Sequence, residues 1–171
     1  MKKSVLTTVG SRLLIVVLVY GIIFAANSYH NNRVVLDGPS MEPTIHSGQT
    51  LKLKKYIGQD TPKRGDIVEY RSTNKLVQEH VSTGKLVHRV IALPGERISI
   101  SNSKVMVFNT LKPDGFNPDA NLAQSGVTSG NTDLTLAPGT YFVMGDNRTH
   151  ALDSRTTGPV PFDNIIGKVT Y

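Results

Sequence analysis

The polarity pattern divides the chain into two unlike parts. Leu13 to Ala26 is an unbroken apolar run, LLIVVLVYGIIFAA, preceded by Lys2, Lys3 and Arg12. Counted on to Tyr29, the uncharged stretch is long enough to cross a thin bilayer core at about 1.5 Å per residue, with Arg12 snorkelling to the interface. Positive charge on the N-terminal side places that end in the cytoplasm. Residues 1–30 are therefore expected to be a cytoplasmic tip and a single transmembrane helix in the plasma membrane, with residues 31–171 outside it. A cleaved signal peptide is the competing reading. Cuts after Ala25 or Ala26 would put Ile23 or Phe24 where a small residue is needed, so a retained anchor fits better.

From Arg33 onward no helical period persists. Short alternating or β-branched runs recur instead: Arg33–Leu36, Thr50–Lys54, Asp66–Arg71, Lys85–Ala92, Arg97–Ile100, Lys104–Phe108, Tyr141–Met144 and Ile165–Thr170. Turn residues separate them, among them Gly58, Pro62, Gly65, Pro94-Gly95 and Pro138-Gly139. The pattern predicts an all-β domain. Asn109 to Gly139 stands apart, rich in Asn, Asp, Gly, Ser, Pro and Thr. It is expected to be an exposed insertion near 109–139, because a loop this long inside a compact domain is functional or mobile.

Composition narrows the function classes. A chain of 171 residues suits one domain plus a short appendage. It contains no cysteine, which excludes a disulfide framework and thiolate metal sites, and its five histidines are scattered. Neither a metal nor another cofactor is expected. The net charge is +6, yet basic runs are short and tryptophan is absent. No nucleic-acid partner is expected, since such binders cluster basic charge and interleave aromatics. The charge reads as attraction to anionic membrane lipid.

Candidate chemistry begins at Gly38-Pro39-Ser40-Met41-Glu42-Pro43-Thr44. Gly38 tolerates unusual dihedrals. Pro39 fixes its own φ and pushes Gly38 toward extended geometry, and Pro43 does the same to Glu42. A serine held between two such restrictions is presented in one place, as a nucleophile must be. Three further segments add context: Arg64-Gly65-Asp66-Ile67-Val68, the run Val87 to Glu96 containing His88-Arg89-Val90-Ile91, and Gly145-Asp146-Asn147-Arg148 continuing through Asp153-Ser154-Arg155 to Gly158.

These four segments, in this order after an apolar anchor, resemble the type I signal peptidases. The resemblance implies a β-rich, signal-peptidase-like catalytic domain at residues 31–171 and one hydrophobic anchor. It implies a membrane-bound serine endopeptidase that cleaves signal peptides from exported preproteins after a small residue. Ser40 takes the nucleophile's position, and its backbone N–H would contribute to the oxyanion hole. Some members add a serine hydroxyl two residues earlier; that position is Gly38, so any such help comes from backbone donors. Bacterial members usually carry a lysine base directly before Arg-Val-Ile, and here that position is His88. A serine that contacts the lysine in many bacterial members is matched by Ala151. A histidine begins near pKa 6.5 and needs little tuning to act as a base near neutrality, whereas lysine begins near 10.4.

His88 is thus the expected general base, with an acid limb near pH 6.5. Asp153 either orients His88 as the third member of a triad or pairs with Arg155. Met41 is expected to pack beneath Ser40, and Arg89, Asp146 and Arg155 to hold the site loops together. Lys85, three residues before His88, should face the other side of its strand. His150 is expected to be solvent-facing. The rival class is a non-catalytic, membrane-anchored relative serving pilus or secretion components. A soluble self-cleaving repressor-type peptidase is a third reading, opposed by the anchor.

Overall fold

The computed structural model describes residues 12–24 and 32–171. Residues 12–24 form helix α1, whose apolar side chains, Leu13 through Phe24, are all exposed. Among the described residues no helix is both long and apolar enough to cross a membrane. Lys2, Lys3 and the Ala25 to Tyr29 part of the expected anchor lie outside the described residues. The chain divides into one unit up to Arg33 and a second from Val34 to Tyr171.

The second unit is built almost wholly of strands, in two sheets. The larger runs in the order β1 (Arg33–Val35), β2 (Thr50–Lys54), β11 (Ile165–Thr170), β3 (Ile67–Arg71), β4 (Lys85–Ala92), β9 (Thr140–Met144) and β10 (Val160–Pro161). The smaller runs β7 (Lys112–Phe116), β6 (Lys104–Asn109), β5 (Arg97–Ser101), β8 (Thr132–Thr135). Two short helices interrupt the strands, α2 (Lys75–His80) and α3 (Ser154–Thr157).

Side-chain periodicity explains the placement of each strand. In β2, Leu51 and Leu53 are buried while Lys52 and Lys54 are exposed, as alternate positions on a half-covered strand must be. β4 lies inside the sheet between β3 and β9, and Val87 through Ala92 are all buried. Its two faces serve different cores. Val87 joins Met41, Ile45, Leu51, Leu53, Ile67 and Val169. Val90 joins Val68, Tyr70, Tyr141 and Val143. Farther along, Ile91 and Ala92 join the core of the smaller sheet with Ile98, Ile100, Val107 and Phe142. Each fully buried aliphatic side chain contributes about 1.5–3 kcal/mol, so β4 links three apolar clusters and fixes what is mounted on it.

The stretch from Asn109 to Gly139 is more structured than its composition implies. It supplies β7 and β8, the two outer strands of the smaller sheet. Between them Asp119 and Thr128 are buried. β7, with sequence KPDGF, has little apolar character and is exposed over Lys112 to Asp114, so no polarity signal marks it.

Candidate active site

Ser40 sits on the long loop between β1 and β2. The loop is closed at its base by backbone bonds from Leu36 N to Gln49 O (3.1 Å) and from Gly48 N to Leu36 O (2.8 Å). Met41 and Ile45 are fully buried in the core beneath it, so the loop is nailed down on either side of the cis Glu42–Pro43 peptide. Gly38 has φ +90°, a region that side-chain-bearing residues rarely adopt. The extended geometry expected from Pro39 is therefore replaced by a positive-φ turn, and the Gly38 N–H donates to Ser47 Oγ at 3.1 Å. Ser40 itself is half-buried.

His88 is carried by β4 opposite Val68 of β3. Tyr70 is two residues along β3, on the same face, and its Oη lies 2.9 Å from His88 Nδ1. His88 is fully buried. Its Nε2 is the one buried side-chain nitrogen or oxygen without a hydrogen-bond partner among the described residues. Burial lowers the imidazole pKa to about 4, with Asp153 and Asp146 pulling it up and Arg155 pushing it down. His88 is accordingly neutral at physiological pH, and the acid limb moves well below the 6.5 expected from the sequence.

Gly145, directly after β9, brings the two together. A side-chain carbon at Gly145 would stand 2.5 Å from the Ser40 carbonyl oxygen and 3.5 Å from His88 Cδ2, and would collide with Ala151 Cβ. The Ser40 loop, the Cδ2–Nε2 edge of His88 and Ala151 thus meet around a glycine that has no room for a methyl group. Asn147 secures the same junction. Its N–H donates to Ser40 O at 3.0 Å and its Nδ2 to Pro39 O at 3.2 Å.

Ion pairs hold this loop from three sides. Arg89 donates to Asp146 through Nε (2.8 Å) and Nη2 (2.5 Å), and to Gly65 O at 2.9 Å. Thr44 Oγ1 donates to the same Asp146 at 2.5 Å, tying it to the Ser40 loop. Arg148 is buried against Asp119 at 2.6 and 2.5 Å and also reaches Thr128 and Gly145 O. Asp153 accepts from Gly145 N at 2.9 Å, from Arg155 Nε and Nη2 at 2.8 Å each, and from Arg155 N as the cap of α3. Of the two roles open for Asp153, this geometry is that of pairing; His88 Nδ1 meets Tyr70.

The other basic candidates lie elsewhere. Lys85 faces Glu69, 3.8 Å away, on the side of β4 opposite His88. His150 is exposed, with Nδ1 3.3 Å from Asn147 Oδ1. Sequence reasoning did not single out Tyr70, Asn147, Arg148 or Asp119. Asn147 and Arg148 belong to a segment already marked. Tyr70 is one aromatic in a strand, and nothing local distinguishes it. Asp119 lies in the stretch expected to be exposed.

A half-buried serine on a braced loop, with a neutral histidine mounted on the adjoining sheet, is the pair with which serine hydrolases generate a nucleophile. Comparison with known proteins gives the family. The family model described as signal peptidase, peptidase S26, matches residues 7–171. The chain is 28% identical over 171 residues to signal peptidase I U of Bacillus subtilis (strain 168), covering 97% of this chain and 86% of that protein. It is 33% identical over 150 residues to signal peptidase I of Bacillus caldolyticus, covering 82% and 78% respectively. A crystal structure of a signal peptidase I from Enterococcus faecalis V583 aligns with a TM-score of 0.47 at 22% identity, over 66% of this chain and 100% of that one. The chain belongs to the signal peptidase family S26.

Proposed function

We propose that the chain is a membrane-anchored serine endopeptidase that removes signal peptides from exported preproteins, with Ser40 as nucleophile and His88 as general base. The observation that carries this reading is the unpartnered Nε2 of His88, whose ring neighbour Cδ2 lies beside Gly145 and the Ser40 carbonyl. A buried polar atom without a partner is costly, and such atoms concentrate where a reacting group completes them.

In the proposed cycle the Ser40 hydroxyl attacks the scissile carbonyl while its proton passes to His88 Nε2. The tetrahedral oxyanion is met by backbone N–H groups near Ser40. The imidazolium returns that proton to the leaving amine, and an acyl-enzyme remains on Ser40. Water then attacks the acyl carbonyl and gives a proton to His88, which passes it to Ser40 Oγ as the acyl–oxygen bond breaks, restoring the free enzyme. The substrate would lie extended against an open strand edge, bonded through its main chain. β1 is such an edge and runs directly into the Ser40 loop. Asp146, Asp153 and Arg155 act by holding the loops, and Gly38 and Met41 by shaping and anchoring the nucleophile turn.

The membrane part of the proposal rests on the Leu13 to Ala26 run and the exposed apolar side chains of α1. With Lys2, Lys3 and Arg12 at its cytoplasmic side, one crossing puts residues 31–171 outside, beside the lipid headgroups. The test is cleavage of a labelled preprotein in detergent by the unmodified chain, Ser40→Ala and His88→Ala. Cutting by the unmodified chain and a loss of about a thousandfold or more in each variant is expected. Undiminished cutting by either variant defeats the assignment of that residue.

A further inference from the structure

His88 has two ring nitrogens, and the proposed reaction uses one. The other, Nδ1, has a single partner among the described residues, the phenol of Tyr70 at 2.9 Å. Tyr70 is 1% exposed and His88 0%, so bulk solvent cannot replace that contact. The charged groups around the imidazole are Asp146, Asp153 and Arg155. Both oxygens of Asp146 are taken by Arg89, and both oxygens of Asp153 by Arg155. Neither carboxylate hydrogen-bonds His88 Nδ1, which meets Tyr70 instead.

We propose that Tyr70 is the positioning residue of the His88 base, its Oη accepting the Nδ1–H of the imidazolium formed when Ser40 gives up its proton. The inference rests on the reading of Ser40 and His88 given above. When the serine O–H bond breaks and the proton joins Nε2, the new Ser40–carbonyl bond takes the electron pair and His88 carries an N–H on both nitrogens. Tyr70 Oη is the group placed to meet the second. The phenol hydroxyl is a rotor that both donates and accepts, so it serves neutral His88 in either tautomer and the cation as an acceptor. A hydrogen bond to a charged donor is roughly twice as strong as one between neutral groups. The contact therefore favours the protonated form and lowers the barrier to proton transfer. Unlike the aspartate of a triad, a phenol adds no charge, which is consistent with an imidazole that burial keeps weakly basic.

The test uses the full chain in detergent, unmodified and as Tyr70→Phe, which keeps the ring and deletes only the oxygen. Tyr141→Phe is the control for packing, because Tyr141 is buried in the same apolar cluster and its ring meets Phe162, while Tyr70 is the partner of His88 Nδ1. Two quantities are read: His88 titration by imidazole nitrogen NMR, assigned by loss of the signal in His88→Gln, and steady-state cleavage at pH 7. Tyr70→Phe should lower the His88 midpoint below its starting value and cut kcat about tenfold to a hundredfold, with KM within about twofold. Tyr141→Phe should do neither. A His88 midpoint that stays or rises in Tyr70→Phe, or a kcat that falls equally in Tyr141→Phe, overturns the proposal. Failure of the underlying reading shows separately, as cleavage that survives His88→Ala, while the titration still reports whether Tyr70 governs His88.

Discussion

At the scale of single residues, the site is defined by what has no room and what has no partner. Gly145 has no space for a side chain because the Ser40 carbonyl and Ala151 crowd it. Gly145→Ala must push away the Ser40 loop, Ala151 or both. Overpacking of this kind costs about 1–3 kcal/mol of stability, and a displacement near 1 Å at a reacting pair costs about a hundredfold in rate. The expected outcome, read by steady-state cleavage and thermal melting, is a kcat loss of about tenfold or more with a modest fall in Tm. An unchanged kcat would mean that the junction yields without moving Ser40. Ser40 and His88 stand out in the sequence as candidates because each sits in a short, recognisable segment. Tyr70 does not, since its meeting with His88 depends on β3 pairing with β4 in one particular register.

Among elements, β4 and the 145–155 loop do most to place the chemistry. The loop is held by buried ion pairs, and the Arg148–Asp119 pair reaches into the 109–139 stretch. That stretch also touches the nucleophile side, with Ser125 Oγ donating to Glu42 O at 3.1 Å and Ser125 bridging to Asn147. It braces the site as well as completing the smaller sheet. Removing one partner of a buried pair strands the other charge, at a cost of about 3–5 kcal/mol, whereas replacing both by apolar groups is often nearly neutral. Asp119→Ala should therefore lower the denaturant midpoint sharply and reduce cleavage, and adding Arg148→Met should recover most of the stability. Equal destabilisation by the single and double changes would show that the charge itself is not what holds the loop.

The same scale shows what polarity patterns capture. β2, β4 and β11 have the bounds expected, because alternation or a β-branched run extends over each whole strand. β7 and β8 escaped notice because they are edge strands of polar sequence, formed by pairing to neighbours rather than by their own apolar face. β10 is only two residues long. α2 is a single short helix begun by Asn74, whose side chain accepts from Leu76 N at 2.9 Å. Such a cap is a local signal too slight to outweigh a surrounding all-β pattern.

For the whole molecule, the fold buries His88 on an inner strand of an antiparallel sheet, with its Cδ2 beside Gly145 and the Ser40 loop. The proposed membrane anchor and the net charge of +6 would hold that site near anionic lipid, where preproteins emerge. Burial sets the working pH range. A histidine whose pKa is lowered remains neutral, and so able to accept a proton, down to a more acidic pH than an exposed one. Replacing it by lysine would move the acid limb to higher pH, because lysine stays protonated until pH rises toward its own, much higher pKa.

The sharpest test of a buried, neutral His88 as the base is the pH dependence of kcat/KM for preprotein cleavage by the full chain, since it reports the base of the free enzyme. The pKa of about 4 for His88 predicts a plateau from about pH 5 to neutrality and a fall of one proton's steepness through about pH 4. An acid limb with its midpoint at or above neutral pH would contradict this assignment, placing the proton on a group other than buried His88.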